Sequence, residues 1–239
     1  MRIGVVCEGE TDYHAIRFFM ENELKARGVP AEFVALQPDI DETRPKGGWT
    51  LVVQWLLNNS PERRVREFFG SGLFASSKPL DCILIQMDTD ILGQEQFCTR
   101  IKSVLNLMPN NPDGPENRAA EISKILGAAA DIDKLTASDA RRHIFCPAVE
   151  STEAWCIAAF SNISGKFPAL SGQALVNEFM MALEKSEGVT VKAAYAEINK
   201  DVQRRKRFCE RHAGGSARVS ASCSVFRSSI NELDALAAT

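Results

Sequence analysis

Leu84-Ile85-Gln86-Met87-Asp88-Thr89-Asp90 is the stretch on which the fold turns. Ile83 to Met87 reads as a buried strand, a short apolar run that ends in polar residues. It runs straight into two carboxylates. Residues two apart on a strand point to the same side, so Asp88 and Asp90 can converge just past the strand's end. In an open α/β sheet that end is where ligands bind. Two carboxylates about 4 Å apart repel by roughly 4 kcal/mol at an effective dielectric of about 20. A site that keeps both ionised wants a cation, and hard oxygen donors suit Mg²⁺ or Mn²⁺. The same residues also fit a plain turn in which Asp-Thr-Asp caps the next helix. These residues alone leave both readings open.

Working outward, Arg2 to Cys7 reads as a first strand that ends at Glu8-Gly9-Glu10-Thr11-Asp12. Thr11 is the expected cap of a helix carrying Ile16, Phe19, Met20 and Leu24 on one face. Gly28 and Pro30 stop that helix. Ala31 to Leu36 is a second strand and Trp49 to Leu57 a helix. Ser60 and Pro61 open another helix, which ends near Gly70. Asp81 to Met87 is the third strand. The helices Glu95 to Met108 and Glu116 to Ala130 flank a Pro/Gly/Asn-rich break. His143 to Val149 is a fourth strand, and Pro147 means that it lies at an edge or kinks there. The helix Ala154 to Phe160 follows.

This alternation predicts an α/β, Rossmann-like fold: a mostly parallel sheet of about four strands with flanking helices. Beyond Phe160 only helices are expected: Gly172 to Lys185, Lys192 to Arg211 and Val225 to Leu236, with Gly214-Gly215 as a loop. Residues 1–160 are thus expected as the metal-binding domain. Residues 161–239 are expected as a helical C-terminal extension packed on it.

Composition narrows the partners. A net charge of -3 excludes polyanion binding by bulk electrostatics, so nucleic acid must be met by a local patch. Seven cysteines without a C-x-x-C pair suit reduced thiols and a cytoplasmic setting. Cys209, His212 and Cys223 fit no common zinc spacing. A strand begins almost at Met1, so no signal peptide is expected, and no apolar run reaches the roughly 20 residues of a membrane span. Lys46-Gly47-Gly48 follows no strand at P-loop spacing, and no G-x-G-x-x-G is present, so ATP binding by those routes is not expected.

Three acidic clusters each follow an apolar strand: Glu8/Asp12, Asp88/Asp90 and Glu150/Glu153. In a parallel sheet these strand ends share one edge. A shared metal site follows, where two divalent ions about 3.5–4 Å apart could clamp the oxygens of a phosphoryl transfer. Glu153 also fits a solvent-facing acid in a first helical turn. Thr11 reads as a cap, Cys7 as core, and His14 as a surface or supporting residue. The basic region runs through Lys200, Arg204, Arg205, Lys206, Arg207 and Arg211, with Arg218 and Arg227 downstream. It reads either as a solvated helix face or as a phosphate-binding wall. In the second reading Lys200, Arg204, Arg205, Arg207 and Arg218 contact nucleic acid. A cation from Lys46, Lys200 or Arg218 could also stabilise a transition-state oxyanion.

The Glu-Gly-x-Thr-Asp turn at Glu8 to Asp12, with Asp-x-Asp at Asp88 to Asp90, resembles the Toprim domain of topoisomerases, primases and related nucleases. The turn also resembles the E-x-x-x-E pattern of the overcoming-lysogenization-defect family nucleases, with Asp12 in place of the second Glu. Glu150 to Trp155, Glu-x-x-Glu-Ala-Trp, is similar to the late acidic motif of short stand-alone Toprim-like bacterial proteins classed only as a domain of unknown function. The resemblance covers roughly residues 1–160. It implies a Toprim-like fold with Glu8 as general acid/base or metal ligand. Asp88 and Asp90 would hold Mg²⁺, and Asp12, Glu150 and Glu153 would complete a second metal shell. The activity implied is a Mg²⁺-dependent nuclease cutting DNA or RNA, an effector of bacterial defence against phage, with a separate ATPase as possible partner. The alternative is a non-catalytic Toprim-like subunit of an ATPase-containing complex. Two phosphotransfer readings fit less well. Dehalogenase-type phosphatases carry Asp-x-Asp on their first strand, and a receiver domain needs Lys where Glu150 stands.

Overall fold

The structure, a computed structural model, describes residues 1–38, 48–70, 78–161, 170–188 and 201–238. Its elements in chain order begin with β1 (Arg2–Val6), α1 (Glu10–Ala26), β2 (Glu32–Gln37), α2 (Trp49–Asn58) and α3 (Pro61–Arg64), which widens into a π turn at Val65–Phe69. Then come β3 (Cys82–Ile85), a short 3-10 turn at Asp90–Gly93, α4 (Glu95–Leu105), α5 (Pro115–Ala129), α6 (Ala137–Ala140), β4 (His143–Phe145) and α7 (Thr152–Phe160). The chain closes with α8 (Gly172–Glu187), α9 (Val202–His212), α10 (Ser216–Ser222) and α11 (Ser224–Ala237).

The four strands form one sheet in the order β2-β1-β3-β4, and every pairing is parallel. The fold is α/β and Rossmann-like, with helices on both faces. A parallel sheet buried on both sides needs apolar residues on both, and the strands supply them. Ile3, Val5, Cys82, Leu84 and Ile144 point into one core. Val6, Ile83 and Ile85 point into the other. The first core is roofed by α1 and α7 to α11, and the second by α2, α4 and α5. The C-terminal helices therefore share a core with the sheet. The Trp155 ring meets Phe226 edge-on, with centroids 5.2 Å apart. Among the described residues no helix is long and apolar enough to cross a membrane.

Three local readings are corrected. Gly9, in extended backbone, occupies the N-cap of α1; Thr11 lies inside the helix. Strand pairing in β4 stops at Phe145, before Pro147, and only an isolated bridge from Asp88 to Ala148 carries it further. Gly214-Gly215, read as a loop, leads into α10. Gly215 is needed there by contact: a Cβ on it would run into the Ala159 carbonyl at the end of α7. Arg218, on α10, donates to the Ala158 and Ala159 carbonyls, the orphan acceptors of that helix end. The expected helix start at Lys192 lies outside the described residues.

Candidate active site

β1 and β3 are neighbours in the middle of the sheet, and their connections leave in opposite directions. This is a topological switch point, where the crevice at the strand ends receives ligands in open α/β sheets. Glu8 follows β1 and Asp88 follows β3. The backbone N–H of Asp88 donates to Glu8 Oε1 at 2.8 Å, and the Gly48 N–H donates to the Glu8 carbonyl at 2.7 Å. Glu8 is thus held from the strand next door and from the entrance of α2.

Thr89 knits the end of β3 to the end of β4. Its N–H donates to the Ala148 carbonyl at 3.0 Å, and its buried hydroxyl accepts from the Glu150 N–H at 2.8 Å. Asp90 N–H donates to the Glu150 carbonyl at 3.3 Å. Glu150 sits at φ 59, in the left-handed region that a side chain adopts at a cost. Its buried carboxylate is ion-paired with Arg118 of α5. Asp12, in the first turn of α1, is buried and accepts from the Thr152 hydroxyl at 2.5 Å. Glu153, one residue on, is ion-paired with Arg205 of α9.

The electrostatics divide these acids into two kinds. Burial and the neighbouring carboxylates raise Glu8 to about 8, with Asp12 the first of those neighbours. Burial, then Glu8 and Asp12, pushes Asp88 well above the usual carboxylate range. Asp12 is raised to about 6 by burial and by Glu153, against a counter-pull from Thr152 and Arg205. Asp90 is raised to about 6 by desolvation and then by Glu150 and Glu153; its exposed edge discounts the first of these. Glu153 moves the other way, to about 2: burial alone would raise it, and Arg205 more than reverses that. Mutual raising is what like charges do when gathered without a counter-ion.

Gln86 was not foreseen as a site residue. It is fully buried in the apolar run just past the end of β3, and the alternation of that run puts it on the side of Leu84 and Asp88. Its amide Nε2 donates to Asp88 Oδ1 at 2.7 Å. Its Oε1, equally buried, has no hydrogen-bond partner among the described residues. A buried acceptor left open costs about 1–3 kcal/mol. The sequence signal was there: one amide within Ile-Leu-Ile-Gln-Met. Thr152 and Arg118 carried no comparable signal.

The donors are all hard oxygens, and their charges repel, so the chemistry of the set fits a divalent cation of the Mg²⁺ kind. As the side chains stand, no group of three or more His, Cys, Asp or Glu among the described residues is set to enclose an ion. The causes are visible: Thr152 draws Asp12, Arg205 draws Glu153 and Arg118 draws Glu150. Cys209, His212 and Cys223 likewise form no such group. Cys209 faces Cys156 with its sulfur at 3.8 Å, and His212 Nε2 lies 2.7 Å from the Ser186 hydroxyl.

The basic region is not one open face. Arg205 is 1% exposed and turned inward, so it cannot be a surface phosphate contact. Arg218 is spent on the α7 carbonyls. Arg204 and Arg207 both reach Glu187 of α8, at 3.6 and 3.9 Å, with Arg207 the more exposed. Lys46 and Lys200 lie outside the described residues. No family model, curated protein or solved structure matches the chain.

Proposed function

We propose that the chain is a Mg²⁺-dependent nuclease of Toprim type, cutting phosphodiester bonds in DNA or RNA. The observation that carries this reading is the set Glu8, Asp12, Asp88 and Asp90 at the switch point. Each is raised by burial and then by its neighbours, and none is ion-paired to a cationic side chain among the described residues. A divalent cation bound there would supply charge neutralisation and Lewis-acid activation of the scissile phosphate. It would also relieve the repulsion and return the carboxyls toward ordinary values. Glu8 is the best candidate to take the proton from the attacking water. Its Oε1 is oriented by the Asp88 N–H, and an ion bound beside it would keep the carboxyl ionised and so able to accept a proton near neutrality. Gln86 holds Asp88 at one oxygen, and its open Oε1 can accept from a water in the site.

The test is cleavage of plasmid DNA and of tRNA with Mg²⁺ or Mn²⁺ by wild type and by Asp88→Asn. Loss of at least a hundredfold in the variant is expected; equal cleavage by both overturns the reading. A role in defence against phage, and a separate ATPase working beside this chain, extend the proposal by the resemblance of the motifs alone.

A second reading is a non-catalytic Toprim-like subunit. What favours it is that Asp12, the shorter acid in the place of a glutamate, already has one oxygen taken by the Thr152 hydroxyl. Calorimetric titration with Mg²⁺ separates the two, since a non-catalytic module has no need of ions at Glu8 and Asp88.

A further inference from the structure

The six strand-end acids are not equivalent, and the residue that separates them comes from the C-terminal helices. Arg205 of α9 is among the largest fully buried side chains of the protein. It is ion-paired with Glu153 and donates to the Thr152 hydroxyl at 3.4 Å and to the Cys156 sulfur at 3.8 Å. Its guanidinium lies 4.4 Å from the Phe179 ring centroid, so α8 packs its other side. Thr152, thus accepting from Arg205, donates its own hydroxyl hydrogen bond to Asp12 at 2.5 Å. A guanidinium presents a rigid fork of donors, so it fixes the direction of what it binds. Removing one partner of such a pair leaves a buried charge uncompensated.

We propose that Arg205 is a positioning residue of the acid site: by holding Glu153 it takes that carboxylate out of the metal-ligand set. This rests on the metal-dependent reading above and deepens it. The ions are held by Glu8, Asp12, Asp88 and Asp90, and Glu153 serves as the counter-charge of Arg205. The C-terminal helices are then a working part of the site and not an accessory surface for nucleic acid.

The pair Glu153–Arg205 is neutral as a unit, and this gives the test its signs. Mn²⁺ affinity is measured by calorimetry on the full chain for wild type, Glu153→Gln, Arg205→Gln and the double variant, with circular dichroism to verify folding. Arg205→Gln removes the cation that holds Glu153 and lies near Asp12, and tightens Mn²⁺ about tenfold. Glu153→Gln leaves Arg205 uncompensated and weakens Mn²⁺ about tenfold. The double variant restores neutrality and binds within about threefold of wild type with unchanged stoichiometry. A structural defect alone would not produce a gain, a loss and a recovery. A double variant as weak as Glu153→Gln makes Glu153 a ligand and overturns the inference while leaving the nuclease reading intact. If Arg205→Gln fails to fold, the single and double glutamate variants still decide. Wild type binding no Mn²⁺ overturns both.

Discussion

The Asp88 backbone N–H donates to Oε1 of Glu8, 2.8 Å away, and so fastens the ends of the two central strands to each other. The bond spans 80 residues of chain. It also brings a raised glutamate against a raised aspartate, which makes this crevice sensitive to pH.

The Glu8 carboxyl titrates at about 8 in the fold against 4.5 when unperturbed. The folded value is the higher one. Its stability contribution is therefore complete below pH 4.5 and is lost as pH rises through about 8, at up to about 1.4 kcal/mol per pH unit. In urea unfolding without metal, Glu8→Gln is expected to flatten that alkaline loss. Mg²⁺ at pH 8 should raise the melting temperature of wild type more than that of Glu8→Gln.

His143 supplies the opposite slope at the far end of the sheet. Its Nδ1 lies 2.9 Å from the Asp139 carbonyl and its Nε2 accepts from Arg64 Nε at 3.0 Å, so the ring is neutral. Burial lowers it from 6.5 to about 4. Because the folded value is the lower one, stability is lost as pH falls from 6.5 toward 4, by about 3 kcal/mol at most. His143→Gln keeps a side-chain acceptor available to Arg64 and should remove most of that acid sensitivity, measured as the urea midpoint between pH 7 and pH 4.5.

Gly215 against Ala159 is a backbone contact with no flexible atom to yield. Gly215→Ala should cost about 2–4 kcal/mol by pushing α10 off the end of α7. Chemical denaturation reads the loss, and Gly214→Ala, with nothing near its Cβ position, is the control.

Glu150 holds a left-handed backbone between β4 and α7. Both Glu150→Gly and Glu150→Ala delete the ion pair with Arg118, so their difference isolates the backbone. The glycine variant should be the more stable by about 1 kcal/mol, and an alanine variant of equal or greater stability would remove the strain argument.

Much of the architecture was legible. The apolar runs ending in Glu8, Asp88 and Glu150 predicted the parallel strands, and Pro147 marked the edge strand. The convergence of Glu8 and Asp88 followed from the sheet order, which pattern alone could not supply. Arg205 was misread because a helix with four basic residues in a row looks solvated. Which of them turns inward depends on α7 and α8, neither of which the local sequence describes. Arg118 was missed for the same reason: its partner is 32 residues away across the sheet edge. Gln86 could have been noticed, since an amide inside an aliphatic strand must answer to something.

The common core of sheet and C-terminal helices has a practical corollary for anyone trimming this protein. A fragment ending at Phe160 would carry every one of the six acids, yet it would leave the indole of Trp155 stripped of Phe226 and the outer side of α1 bare to water. Such a shortened piece should aggregate when expressed alone, and the full chain should unfold in one cooperative transition.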